Sequence, residues 1–506
     1  MSFRARLLCS CLLCLILCIL LSACDSGRDK APTKVSATPE EILATLSPEA
    51  TPLAISDVCQ RMILQDADLL TVRDAFLGRG YGVIPTDSVP STKLETVTLK
   101  SADRLVTLIQ DGGSVQVLWE SLDGLALLPL YAESSPVAGE VTMAQVGIPQ
   151  DVLATGNPMI GMCYVYRLAD GTALIVDGGT GTEACADNLL ASMERLEIAT
   201  DEEGRYRVTA WILTHGHGDH TGTFSAFALQ YAARIDLNYV MYSFPVGEIA
   251  PNDCNAAEFS AGITAYYPDA RRISPHAGLT YHFGSLSVHM LYTPELLYSE
   301  SFSVKYYNNT SLIFRVEANG QSVLHMGDAG ERAAEEAWKA HDEAAFTSSA
   351  LQITHHGLYT GNESHAWTYI RKLYEATNAT VGLLPMGARQ PGEDRNGRYT
   401  VLVDWSRAGY QTAYVTDVRN TQGNAHFTQA DYDKFVAAVA DGTAKSDTLF
   451  GYNGINLLQN REGMLTYISS NETTPMVTLF TLSESGFAVT HNGELAAWLA
   501  EGSPNM

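Results

Sequence analysis

The segment Leu213-Thr214-His215-Gly216-His217-Gly218-Asp219-His220 presents three imidazoles and one carboxylate within six positions, where an apolar run starting at Val208 ends. Burial of apolar surface gives no reason for such a cluster. Imidazole nitrogen is the commonest protein ligand for zinc, and a carboxylate beside it suits zinc, manganese or iron. The two intervening glycines are expected to let the backbone turn tightly enough for alternate side chains to converge. The competing reading is a solvated histidine-rich loop.

Three distant segments offer the same chemistry. Ile175-Val176-Asp177-Gly178-Gly179 is an apolar strand ending in an Asp, a carboxylate able to orient an imidazole ligand from behind. His325-Met326-Gly327-Asp328 ends another strand in an Asp that could bridge two ions, and Ile353-Thr354-His355-His356-Gly357 ends a third in adjacent histidines. Strands often end in Asp-Gly turns, so each is weak alone; four together specify a metal site. The elements that must carry them alternate. Met162 to Leu168 and Ala173 to Val176 read as a hairpin, Leu189 to Ile198 as a helix, Val208 to Leu213 as a buried strand, and Thr221 to Ala233 as a helix. Further strands are expected near 239–242, 286–291, 311–316, 322–325, 351–354 and 381–385. Strands separated by helices imply a layered α/β architecture.

The order Asp-Gly-Gly, His-x-His-x-Asp-His, Gly-Asp, His-His-Gly resembles that of the metallo-β-lactamase fold, an αββα sandwich. Within it, the chain is similar to the hydrolase domain of ComEC-type competence DNA-uptake proteins. The likeness lies in Asn308 to Ile313, Met326-Gly327-Asp328, His355-His356-Gly357 and Gly409 to Asp417, and it covers about 141–427. The resemblance implies a metallohydrolase with two divalent ions, zinc or else manganese or iron. His215 and His217 would hold the first ion, Asp219 and His220 the second, and Asp328 would bridge them. One of His355 and His356 would complete the second site, with the other standing behind it. Asp219 and Asp177 are the catalytic carboxylates on this reading, and a metal-bound hydroxide is the nucleophile. The implied substrate is a small or polymeric ester, a phosphodiester above all, with lactam, lactone or thioester hydrolysis as the alternative. A non-catalytic surface protein with a structural metal site is the third reading.

Two departures from that pattern matter. Many relatives place a further histidine ligand ahead of the strand leading to the bridging Asp, where this chain has Asn308-Asn309; and Leu358 stands where Ser usually follows His-His-Gly. Other residues have plainer readings. His282 and His289, at alternating spacing, read as strand residues, Cys163 as packing, Arg389 to Arg398 as a surface turn, and Glu331 to Glu343 as a solvated helix face.

At the N-terminus, Arg4 and Arg6 precede an apolar run from Leu7 that ends in Leu21-Ser22-Ala23-Cys24. This is an export-signal pattern, shorter than the roughly 20 residues of a spanning helix. Leu-Ser-Ala-Cys is similar to the lipobox of bacterial lipoproteins, which implies lipid attachment at Cys24 and anchoring on the outer side of a membrane. Residues 25–52, rich in Ser, Thr, Pro and charge, read as a flexible tether. A small α+β module is expected over 53–137, the hydrolase domain over 141–427, and an extension over 428–506. Beyond the leader, Cys59, Cys163, Cys185 and Cys254 match no zinc-ribbon or disulfide-dense spacing. Without the first 24 residues, 30 Lys plus Arg face 57 Asp plus Glu. So acidic a surface repels polyanions and disfavours duplex DNA binding. No protein partner is implied.

Overall fold

The computed structural model describes residues 36–122, 128–130, 138–148, 161–245, 256–297, 304–357, 368–379, 381–385, 412–415, 456–459, 465–468 and 477–490. The export segment with Cys24, Cys254, Leu358 and the loop Arg389 to Arg398 lie outside these residues. Among the described residues no helix is long and apolar enough to cross a membrane.

Part of the segment read as a flexible tether is a helix, Pro39–Leu46. Thr38 caps it: its hydroxyl accepts from Glu41 N while Glu41 returns a bond to Thr38 N. Ile42 and Leu43 are buried with Phe76 and Trp119, so this turn belongs to the core of the first module. The Ser/Thr/Pro composition hid an amphipathic pair of residues. That module is a six-stranded antiparallel sheet of β1 (Leu53–Ala54), β2 (Cys59–Gln65), β3 (Gly82–Ile84), β4 (Glu95–Lys100), β5 (Arg104–Asp111) and β6 (Ser114–Ser121), in the order β1-β2-β6-β5-β4-β3. Helix Leu69–Leu77 covers it. Asp111-Gly112-Gly113 makes the expected hairpin, with Gly112 at φ +56°.

The remainder is two facing sheets. One contains β7 (Val141–Val146), β8 (Cys163–Arg167), β9 (Ala173–Asp177), β10 (Tyr206–Ile212), β11 (Ile235–Met241) and β12 (Arg271–Ile273). The other runs β13 (Thr280–Phe283), β14 (Leu286–Tyr292), β15 (Ile313–Ala318), β16 (Gln321–His325), β17 (Ala350–Gln352), β18 (Val381–Leu384) and β19 (Thr412–Val415). A separate hairpin is β20 (Asn456–Gln459) with β21 (Leu465–Ile468). Tyr164, Val176 and Ile212 of the first sheet pack on Val288, Phe314 and Val323 of the second, forming the central core. The outer face of the first sheet buries Trp211 and Leu213 against Leu189, Phe224, Phe227 and Phe259 of three helices, Glu183–Arg195, Gly218–Tyr231 and Ala256–Tyr266. Helices Glu331–Ala340 and Thr368–Thr377 lie along the second. The architecture is the expected α/β sandwich with helices outside both sheets.

Of the C-terminal extension, residues 477–490 are part of the sandwich. Strand β22 (Val477–Ser483) pairs antiparallel with β7, and β23 (Gly486–Thr490) pairs with β22, so they extend the first sheet. The residues of the donor groups follow the carboxyl ends of parallel strands. Strands β9 and β10 run parallel, as do β16, β17 and β18, and their ends lie at one edge of the sandwich. Loops leaving strands there converge on one place, as in open α/β sheets generally.

Candidate metal centre

Thr214, at the end of β10, links the strand to its neighbours. Asp177, at the end of β9, accepts from Thr214 N and Thr214 Oγ1, both at 2.7 Å, and from His220 Nδ1 at 2.6 Å. The loop after Asp177 can pass close to helix Gly218–Tyr231 only because residue 222 of that helix is glycine. A Cβ there would stand 2.3 Å from Gly181 N. Neither Gly216 nor Gly218 has a positive φ, and a Cβ at Gly218 would meet nothing within 4 Å. The tight-turn role expected of them falls instead to Gly327, which sits at φ +51° with its virtual Cβ 2.8 Å from Thr214 Cβ. Behind it, Gln352 holds the strand end, accepting from Met326 N and donating to Gly327 O.

The donor atoms fall into two groups that share Asp328. Asp219, His220, Asp328 and His356 offer ligand atoms within 4.8 Å of one another, and so do His215, His217 and Asp328. Asp328 divides its oxygens. Oδ1 lies 3.1 Å from His220 Nε2 and 3.4 Å from His356 Nε2, while Oδ2 lies 3.7 Å from His215 Nε2. Asp219 Oδ2 stands 3.3 Å from His356 Nε2, and His215 Nε2 stands 3.0 Å from His217 Nδ1. Of the adjacent histidines, His356 joins the second group. His355 belongs to neither group as they stand, and lies 3.8 Å from Asp328 Oδ2.

The donor chemistry fits cations. His220 gives its Nδ1 proton to Asp177, and His356 gives its own to the Pro385 carbonyl at 2.6 Å. The two Nε2 lone pairs therefore face each other at 3.2 Å, beside two carboxylates. Lone pairs so placed repel unless a positive charge stands between them. Asp328 Oδ1 is buried without a hydrogen-bond partner in this arrangement, although two imidazole nitrogens lie close. The electrostatics agree. Burial opposes charge on His356, but Asp328 and Asp219 outweigh it and push its pKa up to about 9. His220 is likewise raised, by Asp328 and Asp177 against burial. Burial would raise Asp328 too, yet His220 and His356 hold it well below the ordinary carboxylate range. The carboxylates thus favour positive charge between the two rings, where a divalent ion fits.

His215, His220 and His356 are fully buried, whereas His217, Asp219 and His355 are half-buried and form the open side. Tyr307 packs edge-on against His217, with ring centroids 4.8 Å apart.

The family model of the Metallo-beta-lactamase superfamily matches residues 156–251. Residues 156–251 are similar to that superfamily. That segment contains Asp177 and the whole run His215 to His220 and ends before Asp328. Among solved structures, the chain is similar to the metallo-beta-lactamase fold protein YhfI from Bacillus subtilis. Identity is 12% over 49% of this chain and 86% of that one, with a TM-score of 0.30. Human tRNase Z, short form, is similar at 12% identity over 49% and 92% of the two chains, TM-score 0.26. Zinc-bound PqqB from Methylobacterium extorquens is similar at 12% over 42% and 70%, TM-score 0.24. None of the curated proteins matches. Scores this low leave the chemistry to be argued from the residues of this chain.

Beyond the matched residues, the two asparagines ahead of β15 part company. Asn309 faces away, its Oδ1 accepting from Ala333 N at the start of helix Glu331–Ala340. Asn308 faces the site, with Nδ2 3.1 Å from His355 Nε2. His282 pairs with Asp87, and His289 with Thr280 and Glu317, both away from the site as strand residues. His276 is buried against Glu295. Burial pushes the Cys163 thiol up, so it packs as an inert thiol. Glu331 does more than face solvent: its carboxylate accepts from Tyr369 N and Ile370 N, capping the next helix. Tyr307 and the Pro385 carbonyl had no signal in the sequence, because neither belongs to a spacing pattern. Thr214 had one, adjacency to His215.

Proposed function

We propose that the chain is a metal-dependent hydrolase of phosphodiesters or closely related esters, acting outside the cytoplasm and anchored through a lipid on Cys24. The observation that carries the hydrolase reading is Asp328, one buried carboxylate shared by two donor groups. The export reading rests on the Arg-flanked apolar run ending at Cys24, and the ester class on the resemblance to competence-type hydrolase domains. The acid excess of the chain favours a small ester over a long polyanion.

His215, His217 and Asp328 would hold one ion, and Asp219, His220, Asp328 and His356 the other. Two divalent ions there would lower the pKa of a shared water toward neutrality and neutralise charge on the attacked phosphoryl or carbonyl oxygen. Asp177 and the Pro385 carbonyl keep His220 and His356 in the tautomer whose Nε2 is free to ligate. Asp219 and Asp328 supply the negative charge that retains the cations. Substrate reaches the site from the half-buried side, past His217 and Asp219, because the other ligands are enclosed.

Zinc- or manganese-loaded protein is expected to hydrolyse bis-p-nitrophenyl phosphate, with His217→Ala lowering kcat/KM at least about 100-fold. Nitrocefin and a thioester run alongside assign the bond class. Stoichiometric metal with no turnover on any of the three would overturn the hydrolase reading.

A further inference from the structure

The two donor groups are unequal: the second has four protein residues and the first only His215, His217 and the shared Asp328. His355 stands beside the deficient one. Its Nε2 is 3.8 Å from Asp328 Oδ2, almost the distance at which His215 approaches the same oxygen, 3.7 Å. His356, the next residue, approaches the other oxygen, Oδ1. The backbone makes this division. His355 and His356 are both left-handed, at φ 49° and 53°, a conformation that side-chain-bearing residues rarely adopt once, let alone twice in succession. Such outliers persist where the surroundings over-determine them and cluster at functional sites. Here His355 N is tied to Gly327 O at 3.0 Å, which locks the turn to the residue before Asp328.

Asn308 completes the picture. Its amide nitrogen lies 3.1 Å from His355 Nε2, while Asn308 Oδ1 and His355 Nδ1 are both buried without partners. The lone pair it takes is the one an ion would use. An imidazole nitrogen is also the better zinc ligand of the two side chains.

We propose that His355 is the third histidine ligand of the first metal site, joining His215, His217 and the shared Asp328, and filling from the loop after β17 the place that Asn308 leaves without a histidine. The assignment rests on the metal-dependent reading above and concerns ligation, not turnover.

The full chain, stripped with chelator and reloaded with zinc, is expected to retain two equivalents after desalting, measured by mass spectrometry of the metal. His355→Ala is expected to retain one and Asn308→Ala two. Two equivalents in a folded His355→Ala, or loss of one in Asn308→Ala, would overturn the assignment while leaving the metal-dependent reading intact. No metal in the unsubstituted chain would overturn both. His355→Cys guards against a folding artefact. Loaded with cobalt, it is expected to show the thiolate-to-metal charge-transfer absorption that the unsubstituted chain lacks, and a spectrum without that band sinks the proposal.

Discussion

Asp177 never reaches an ion in the proposed site, yet it fixes one of the ligands. Its two oxygens are used by Thr214 and His220, so an amide in its place keeps the shape and loses the charge that polarises the imidazole. Asp177→Asn is expected to weaken zinc affinity roughly 10- to 100-fold in competition with a chromogenic chelator, which is the usual effect of removing such a partner. His356 sets the pH behaviour of the ion-free chain. Its pKa is pushed up from the ordinary 6.5 to about 9, so its stabilising contribution is complete below 6.5 and lost as pH rises through about 9. In chelator, the thermal midpoint is expected to fall between those values, and added zinc to remove most of the fall. A flat chelator profile in calorimetry would contradict the role of His356.

At the level of elements, the site depends on turns as much as on ligands. Gly327 joins β16 to Asp328 in a left-handed conformation with no room for a Cβ beside Thr214. Gly327→Ala is expected to lose about 1–3 kcal/mol in urea unfolding, the typical range for a strained backbone position. It should also loosen metal, because Asp328 follows directly. Helix Glu331–Ala340 contributes twice: its N-terminal edge receives Asn309, and Glu331 caps the helix Thr368–Thr377. A segment with the composition of a solvated face thus ties together the outer helices beside the second sheet.

Across the whole molecule, the first module is stitched to the sandwich. Val89 N donates to Gly278 O, Lys93 N to Ala340 O and Asp342 N to Ser91 O, while Asp57 takes bonds from Tyr242, Ser260 and Arg272. Half-buried Glu120 of β6 lies in the same seam. Burial and then Glu295 raise its pKa to about 7, against the opposing pull of His276 and Ser274 N. A carboxyl so raised stabilises fully below its ordinary 4.5, and that contribution is lost as pH rises through about 7. Glu120→Gln is therefore expected to recover about 1–2 kcal/mol at pH 8 relative to pH 5. Urea unfolding at the two pH values measures the difference, and an unchanged difference would remove Glu120 from the seam.

Local pattern in the sequence determined the candidate ligands and the layered fold. His215, His217, Asp219 and His220 are legible because four ligand residues in six positions have no packing explanation. The strands are legible because apolar runs and turn residues repeat with the period of secondary structure. The helix Pro39–Leu46 was missed because the Ser/Thr/Pro-rich composition around it outweighed two local signals, the capping box of Thr38 and Glu41 and the i, i+3, i+4 spacing of buried Pro39, Ile42 and Leu43. Contact of Ile42 and Leu43 with Phe76 and Trp119 reveals their purpose. Nor could sequence attach β22 and β23 to β7, since strand pairing over more than 300 residues leaves no local trace. His355 and His356 are chemically identical neighbours, and what separates them is a pair of left-handed backbone angles and the two oxygens of Asp328. Residue type proposes a ligand; direction and distance, which only the tertiary structure supplies, decide which ion it serves.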